Sequence, residues 1–271
     1  VSATAGPLPG RRPEGRLAHG FAVQGRVIHA LILREMQTRF GRDNLGFLWL
    51  ILEPLILASA IGFIHWMASH RTVPGVPIFV FYLIGYVPYF TFRAIISRSV
   101  GAFQSNMTLM YHRQVRLLDI VVARHLLEIG AVLAVMLLTV VGTAAVLDRL
   151  PYSVPALAIS VVLLLGYANG LGLIAASVAA RFEVADHFIR PLVYLSLPLS
   201  GAFFTMHSLP TSVREALLWN PQVHFHEMLR EGMFGDVIVS YYSVPYMVGA
   251  VLAANLIGMC AMRVVRPRLE F

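Results

Sequence analysis

Apolar residues in this chain come in long blocks separated by short polar stretches, and the length of the blocks is what first gives them structural meaning. A helix of about 20 apolar residues spans the hydrocarbon core of a bilayer. Six blocks reach that length: 46–68, 77–97, 121–147, 156–180, 188–206 and 244–263. Strands of an outer-membrane barrel would instead alternate apolar and polar positions over about ten residues. The blocks therefore predict an all-α integral membrane protein with six transmembrane helices, TM1 to TM6 in that order.

The stretches between and before the blocks have patterns of their own. Over 25–43, Ile28, Ile32, Met36 and Phe40 recur every four residues and make one apolar stripe, while Arg34, Thr38 and Arg42 make another line. Glu35 stands four residues before Arg39, a favourable helical pairing. This predicts an N-terminal amphipathic interface helix at the cytoplasmic surface, which either binds anionic headgroups or only anchors the chain and sets its topology. Residues 1–20, rich in Gly, Pro and Arg and without an apolar core, read as a flexible cytoplasmic tail and not as a signal peptide. That leaves one transmembrane domain over 21–266 and a short cytoplasmic tail at 264–271.

Two connections are too structured to be plain loops. Residues 98–120 form a polar segment between TM2 and TM3, and residues 207–243 lie between TM5 and TM6. The second holds two apolar-patterned pieces, 211–219 and 221–234, divided by Asn220-Pro221. Neither reaches spanning length and Pro221 interrupts the helix, so short re-entrant or interfacial helices are expected on the outer side. In TM4, Gly166-x-x-x-Gly170 followed by Gly172 would let another helix approach closely.

Composition narrows the picture further. Of the 271 residues, 58% are hydrophobic and 13% charged, against about a quarter charged in a soluble domain; mean hydropathy is +0.72. Soluble and disordered classes are excluded. All 21 basic residues are arginine and the net charge is +7. With the N-terminus in the cytoplasm, 17 of the 21 arginines fall on that side and only Arg71, Arg149, Arg214 and Arg230 outside it, which places both termini in the cytoplasm. The exclusive use of arginine fits either a compositional bias of the genome or contact with anionic lipid or substrate. A lone cysteine, Cys260, allows no internal disulfide and no cysteine metal cluster.

The chemistry that is missing is informative. A phosphate-binding P-loop requires lysine, and this chain has none, so transport would be powered by a separate subunit or by an ion gradient. Neither a G-x-S-x-G elbow nor an H-E-x-x-H zinc motif occurs. His224, His226 and Glu227 on the outer side do not share one face of a helix, and they read as satisfied interfacial side chains and not as a metal site. Glu53 lies about 10 Å into TM1 from Gly46 at 1.5 Å per residue. A carboxylate facing lipid costs on the order of 3 kcal/mol, so Glu53 is expected to face the bundle interior or an aqueous path. Pro54 leaves a carbonyl free near Leu50 and predicts a kink. Arg93 and Arg98 stand near the inner end of TM2; Arg124 and Glu128, four apart in TM3, are expected to pair. TM2 is dense in rings, Tyr82, Tyr86, Tyr89 and Phe90 among them. Those rings with Arg93 either form an interface belt with its packing, or line a path on which sugars stack while their hydroxyls stay hydrated.

Three segments carry a resemblance: "LREMQTRFGRDNLGFLWLILEPL" at 33–55, "NMTLMYHRQVRLLDIVVARHLLE" at 106–128 and "LLWNPQVHFHEMLRE" at 217–231. In this order around six spans, the chain closely resembles the membrane permeases of ABC-2 type capsular polysaccharide exporters of Gram-negative bacteria, with O-antigen and teichoic-acid permeases as more distant relatives. The likeness covers about 22–266. It implies a homodimer in the bacterial inner membrane, two separate ATP-binding-cassette ATPases that hold Mg-ATP, and no cofactor in this chain. A channel would run between the two copies. The cargo would be a long acidic polysaccharide on a phospholipid terminus, and the assembly would join a periplasmic adaptor and an outer-membrane exporter, with no nucleic acid involved.

Residue by residue, the resemblance implies contact with the lipid linker at Arg34, Arg39 and Arg42, with Glu53 nearby. It implies an ATPase-coupling helix at 101–119 carrying Asn106, Tyr111, Arg113, Arg116 and Asp119. Relatives often have proline shortly before that aspartate; here Leu117 and Leu118 precede it, so the coupling helix has room to run on into TM3. Asn220, Pro221, His224, Glu227 and Arg230 match an outer re-entrant motif at the exit of the channel. Two readings from other classes stay open: a proton-coupled secondary transporter using Glu53 or Glu128, and a membrane enzyme acting on lipid-linked sugars through His224, His226 and Glu227.

Overall fold

A computed structural model describes residues 13–40, 45–68, 75–107, 115–147, 150–182 and 184–269. Among them the chain is helical without strands. The α-helices are α1 (Pro13–Phe40), α2 (Leu45–Met67), α3 (Ile78–Ser99), α4 (Leu117–Leu147), α5 (Val154–Arg181), α6 (Ala185–Leu195), α7 (Thr211–Leu217), α8 (Pro221–Phe234) and α9 (Val244–Leu269). Four are long and apolar enough to cross a membrane: α3, α4 over Leu117–Ala145, α5, and α9 over Val244–Pro267. The apolar stretch Ile51–Met67 of α2 is shorter. α2 continues through Pro54 as a helix.

The aromatic helix α3 is the centre of the bundle, with α2, α4, α5 and α6 packed around it. Its rings explain that position: Tyr86 stacks on Phe203 at 6.0 Å, Phe92 on Tyr167 at 6.1 Å, and the Tyr89 hydroxyl donates to the Val193 carbonyl at 2.5 Å. Gly85 is required here, because a Cβ at that position would meet the Ala202 carbonyl oxygen at 1.9 Å.

α5 and α9 form the most extensive helix pair. The small-residue stripe read from the sequence serves this pairing within the chain. A Cβ on Gly170 would lie 2.6 Å from the α9 backbone at Ala254, and one on Gly258 would lie 2.8 Å from the Gly170 carbonyl oxygen. A polar chain crosses the same region through four helices. Ser99 on α3 hydrogen-bonds the His125 ring on α4 at 2.6 Å, whose other nitrogen donates to Asn169 on α5 at 2.7 Å. The Asn169 amide donates to Asn255 on α9 at 2.8 Å, and Asn255 donates back to the Gly166 carbonyl at 2.8 Å. In a lipid environment such groups have to satisfy one another within the protein.

The block at 188–206, read as one span, is not one helix. α6 ends at Leu195, a single 3-10 turn follows at Leu197–Leu199, and Gly201 turns the chain at φ 77°. Pro198 has no N–H to continue the helix, and glycine accepts the left-handed conformation at low cost. The carbonyls freed by this break are taken up by α8, as described below. Of the segment 101–119 expected to couple to the ATPase, the first part is a turn and a 3-10 helix at Gln104–Asn106, residues 108–114 lie outside the described residues, and Leu117 to Asp119 form the first turn of α4.

α1 is longer than the helix expected at 25–43. Its Val27, Ile28, Leu31 and Ile32 pack against Ala102, Phe103, Ile120 and Val121, so this stripe covers protein. Positions 41–43 of the expected helix lie outside the described residues.

Candidate functional site

The end of the bundle that carries α1 encloses a cavity of about 570 Å³. Its charged lining consists of four arginines, Arg93, Arg98, Arg124 and Arg190, and two glutamates, Glu35 and Glu53. Phe90, Ser97 and Tyr194 also line it. Four guanidinium groups thus face one space, and each also stands against a carboxylate: Glu53, Glu128, Glu35 or Asp186.

Each charge is held by the local fold. Arg93 projects from α3 with its guanidinium 4.7 Å from the Phe90 ring centre and 4.5 Å from that of Tyr194. Glu53 of α2 is 3.7 Å away. The carboxyl group that the sequence left between a partner and an aqueous path has both: an arginine, and a face on the cavity. Arg98 pairs with Glu128 at 2.8 Å and Arg124 with Glu35 at 3.1 Å. This differs from the expected Arg124–Glu128 pair, because α1 and α3 each bring an opposite charge to α4 at closer range than the helical neighbour. Arg124 also donates to the Arg98 carbonyl at 3.0 Å and to the Ser105 hydroxyl at 2.5 Å. Arg190 pairs with Asp186 one turn earlier on α6. Ser97 is among the lining residues, and its hydroxyl oxygen is buried with no hydrogen-bond partner among the described residues.

Of the residues assigned to the linker, Arg34 donates to Asn106 at 2.6 Å and so ties α1 to the turn after α3. The backbone of Arg39 is part of α1, but its side chain and all of Arg42 lie outside the described residues. Among the coupling residues, Asn106 and Asp119 are buried. Asp119 accepts from Gln24 of α1 and from the Arg116 backbone N–H at 2.9 Å. These two therefore hold α1 in place. Arg116 is exposed, and Tyr111 and Arg113 lie outside the described residues. Tyr82, Tyr86, Tyr89 and Phe90 are packed inside the bundle, each at most 5% exposed. Of that group only Phe90 and Arg93 border the cavity.

The outer motif forms a structural tie. Asn220 caps α8 by accepting from the Gln222 N–H at 3.1 Å and donates to the Leu199 carbonyl at 2.8 Å, with Pro221 at the first helical position. Arg230 is fully buried over the Phe81 ring at 4.5 Å and donates to the carbonyls of Phe204 and Ala202 at 2.7 and 2.6 Å. Those are the carbonyls left open by the break after α6. Glu227, 3.8 Å from Arg230, accepts from the backbone N–H groups of Met206 and Tyr241 at 3.1 and 3.0 Å. His224 donates to the Leu218 carbonyl at 2.8 Å and accepts from the Ser243 N–H at 3.0 Å; His226 donates to the Gln222 carbonyl at 2.8 Å. Burial, reinforced by the Arg230 charge, pushes the His226 imidazole down to about 4.

Comparison with known proteins connects the fold and cavity to a family. The family described as ABC-2 type transporter matches residues 26–234, from α1 through α8. The chain belongs to the ABC-2 type transporter family. The capsule polysaccharide export inner-membrane protein BexB of Haemophilus influenzae is 37% identical over 239 residues, covering 88% of this chain and 90% of the relative. CtrC of Neisseria meningitidis serogroup B, described in the same words, is 38% identical with the same coverage. The polysialic acid transport protein KpsM of Escherichia coli is 36% identical over 254 residues, covering 90% of this chain and 95% of the relative.

This ABC-2 chain thus brings together residues that the sequence left apart. Arg98 and Arg124 had counted toward topology and local pairing, Arg190 toward topology, and Glu35 toward a pair within α1. The signal that would have found them was their common side: the three arginines stand at or near ends of predicted spans, and Glu35 lies in the interface helix expected at that same surface.

Proposed function

We propose that this chain is the permease subunit of an ATP-driven exporter moving lipid-linked, acidic, capsular-type polysaccharide across the inner membrane. ATP hydrolysis would reside in separate ATP-binding-cassette subunits. The observation that carries the substrate reading is the cavity with four arginines beside α1. A phosphate or sugar carboxylate entering it would compete with the present carboxylate partners for planar guanidinium forks suited to bidentate contact. The relatives, described as capsule polysaccharide and polysialic acid transport proteins, support the same substrate class.

The finer arrangement belongs to this proposal. α2, α3, α4, α5, the broken segment from α6 to Met206, and α9 make six crossings, with both termini on the cytoplasmic side. Two copies form the channel, two ATPases dock near the turn at Gln104–Asn106, and a periplasmic adaptor and outer-membrane exporter continue the route. Movement of that turn reaches the cavity through Arg34–Asn106 and through Arg124, which contacts Ser105 and Glu35. A proton carrier is less well supported, since Glu53 and Glu128 both stand opposite arginines.

The test is reconstitution with the ATPase subunit in proteoliposomes. Acidic lipid-linked oligosaccharide should stimulate ATP hydrolysis and accumulate on the far side of the membrane. Accumulation driven by a proton gradient without the ATPase would overturn the reading, as would cleavage or transfer of the sugar by this chain alone.

A further inference from the structure

A second basic pocket, of about 300 Å³, opens away from the arginine-lined cavity, where the start of α4 meets the end of α9. Its polar rim consists of Arg116, Arg263 and Arg266, and its walls include Leu118 and Met259. Among the described residues neither Arg116 nor Arg263 has a carboxylate partner for its side chain. The pocket continues an apolar track along one face of α9. Leu252, Leu256, Met259, Arg263 and Arg266 follow one another at steps of four, three, four and three, the spacing of a single helix face. Leu252, Leu256 and Met259 are 65%, 61% and 47% exposed. From Arg263 back to Leu252 the helix rises about 16 Å at 1.5 Å per residue, close to one leaflet's share of a hydrocarbon core about 30 Å thick.

We infer that this pocket and track form a binding site for one anionic phospholipid. Its phosphodiester sits among Arg116, Arg263 and Arg266, and an acyl chain lies along Met259, Leu256 and Leu252. Three guanidinium groups at the end of a leaflet-length apolar track match the amphiphile as a whole. A soluble anion would leave the track unused, and a protein partner would leave it facing lipid. Basic pockets between helix ends are a recognised form of anionic headgroup site. The inference requires neither nucleotide nor polymer, so it stands or falls separately from the export reading.

The test is native mass spectrometry of the purified full chain exchanged into phosphatidylcholine nanodiscs containing a minor fraction of phosphatidylglycerol. One phosphatidylglycerol should remain bound in preference to phosphatidylcholine. The double variant Arg263→Gln/Arg266→Gln should lower its apparent affinity by about tenfold or more, from roughly 1 kcal/mol per interfacial arginine. Arg181→Gln, at the end of α5 outside this pocket, should leave it unchanged, and Leu256→Ser should weaken it without changing net charge. A thermal melt of each variant separates loss of the site from loss of the fold. Equal retention of the two lipids by the wild-type chain would overturn the proposal. Glycerol phosphate competing as well as the lipid would also overturn it, since the track would then contribute nothing. So would a double variant that keeps its phosphatidylglycerol but no longer co-purifies with the ATPase subunit, which would reassign the pocket to protein docking.

Discussion

Arg124 of α4 holds Glu35 of α1 at 3.1 Å while its other guanidinium nitrogens reach Ser105 and the Arg98 carbonyl. One side chain thereby joins the N-terminal helix, the turn after α3 and the wall of the cavity. Both partners are largely shielded, at 13% and 23% side-chain exposure, so the pair is stronger than a surface ion pair and weaker than a fully buried one. Glu35→Gln and Arg124→Gln should each reduce thermal stability by about 1–3 kcal/mol. The double variant should cost clearly less than the sum, because neither change then strands a charge. Thermal melts of the four proteins give the coupling, and proteolysis within α1 should be faster in each single variant.

Arg93 should matter for substrate more than for folding. Its guanidinium lies between Phe90 and Tyr194, an arrangement that uses a planar cation. Arg93→Gln should weaken apparent binding of acidic substrate by roughly tenfold, the value of one charge-assisted contact of about 1.4 kcal/mol. Arg93→Lys should recover little of that loss. Substrate-stimulated ATP hydrolysis in the reconstituted complex checks both, and equal stimulation in all three proteins would remove Arg93 from the site.

The outer motif leads to the opposite expectation. Arg230→Met removes the donors for the Ala202 and Phe204 carbonyls and leaves Glu227 buried without its cation. A loss of about 3–5 kcal/mol is expected, large enough to abolish accumulation of folded protein. Glu227→Gln should be milder, since its amide oxygen still accepts from one of the two backbone N–H groups. Folded yield by size-exclusion chromatography and thermal melts measure the contrast.

Two glycine substitutions test the packing directly. Gly85→Ala brings a methyl group into the Ala202 carbonyl oxygen, whereas Gly249→Ala meets nothing within 4 Å. The first should destabilise by several kcal/mol through backbone displacement. The second should be neutral or raise stability by up to about 1 kcal/mol, since alanine is the better helix former. Comparable melting temperatures for the two variants would show that the approach of α3 to Ala202 is not tight.

Helix positions were legible because hydrophobic length is a local property. The blocks at 77–97, 121–147, 156–180 and 244–263 correspond to α3, α4, α5 and α9. The break after α6 was harder to read. Pro198 and Gly201 stand in a run apolar enough to pass for a span, and Asn220, Glu227 and Arg230, some 20 to 30 residues later, satisfy the non-helical backbone there. The side to which a charge turns was likewise not local. Arg124 has an acidic neighbour at the helical spacing, Glu128, yet tertiary packing brings it Glu35 and gives Glu128 to Arg98. The rings of α3 were visible as a cluster, but composition cannot distinguish a packed core from a lined path. Burial against Phe203, Val193 and Tyr167 makes the distinction.

The hydrogen bonds joining Asn169 to Asn255 bear on how the chain is made. Asn255 lies on α9, whereas its partners on α5 leave the ribosome about 85 residues of synthesis earlier. Until α9 arrives, the Asn169 side-chain NH2 lacks its Asn255 acceptor and the groove at Gly166 and Gly170 lacks the helix that fills it. A chain truncated before Val244 should therefore be retained by the insertion machinery or degraded, and the arrival of α9 closes the polar chain that α3, α4 and α5 begin.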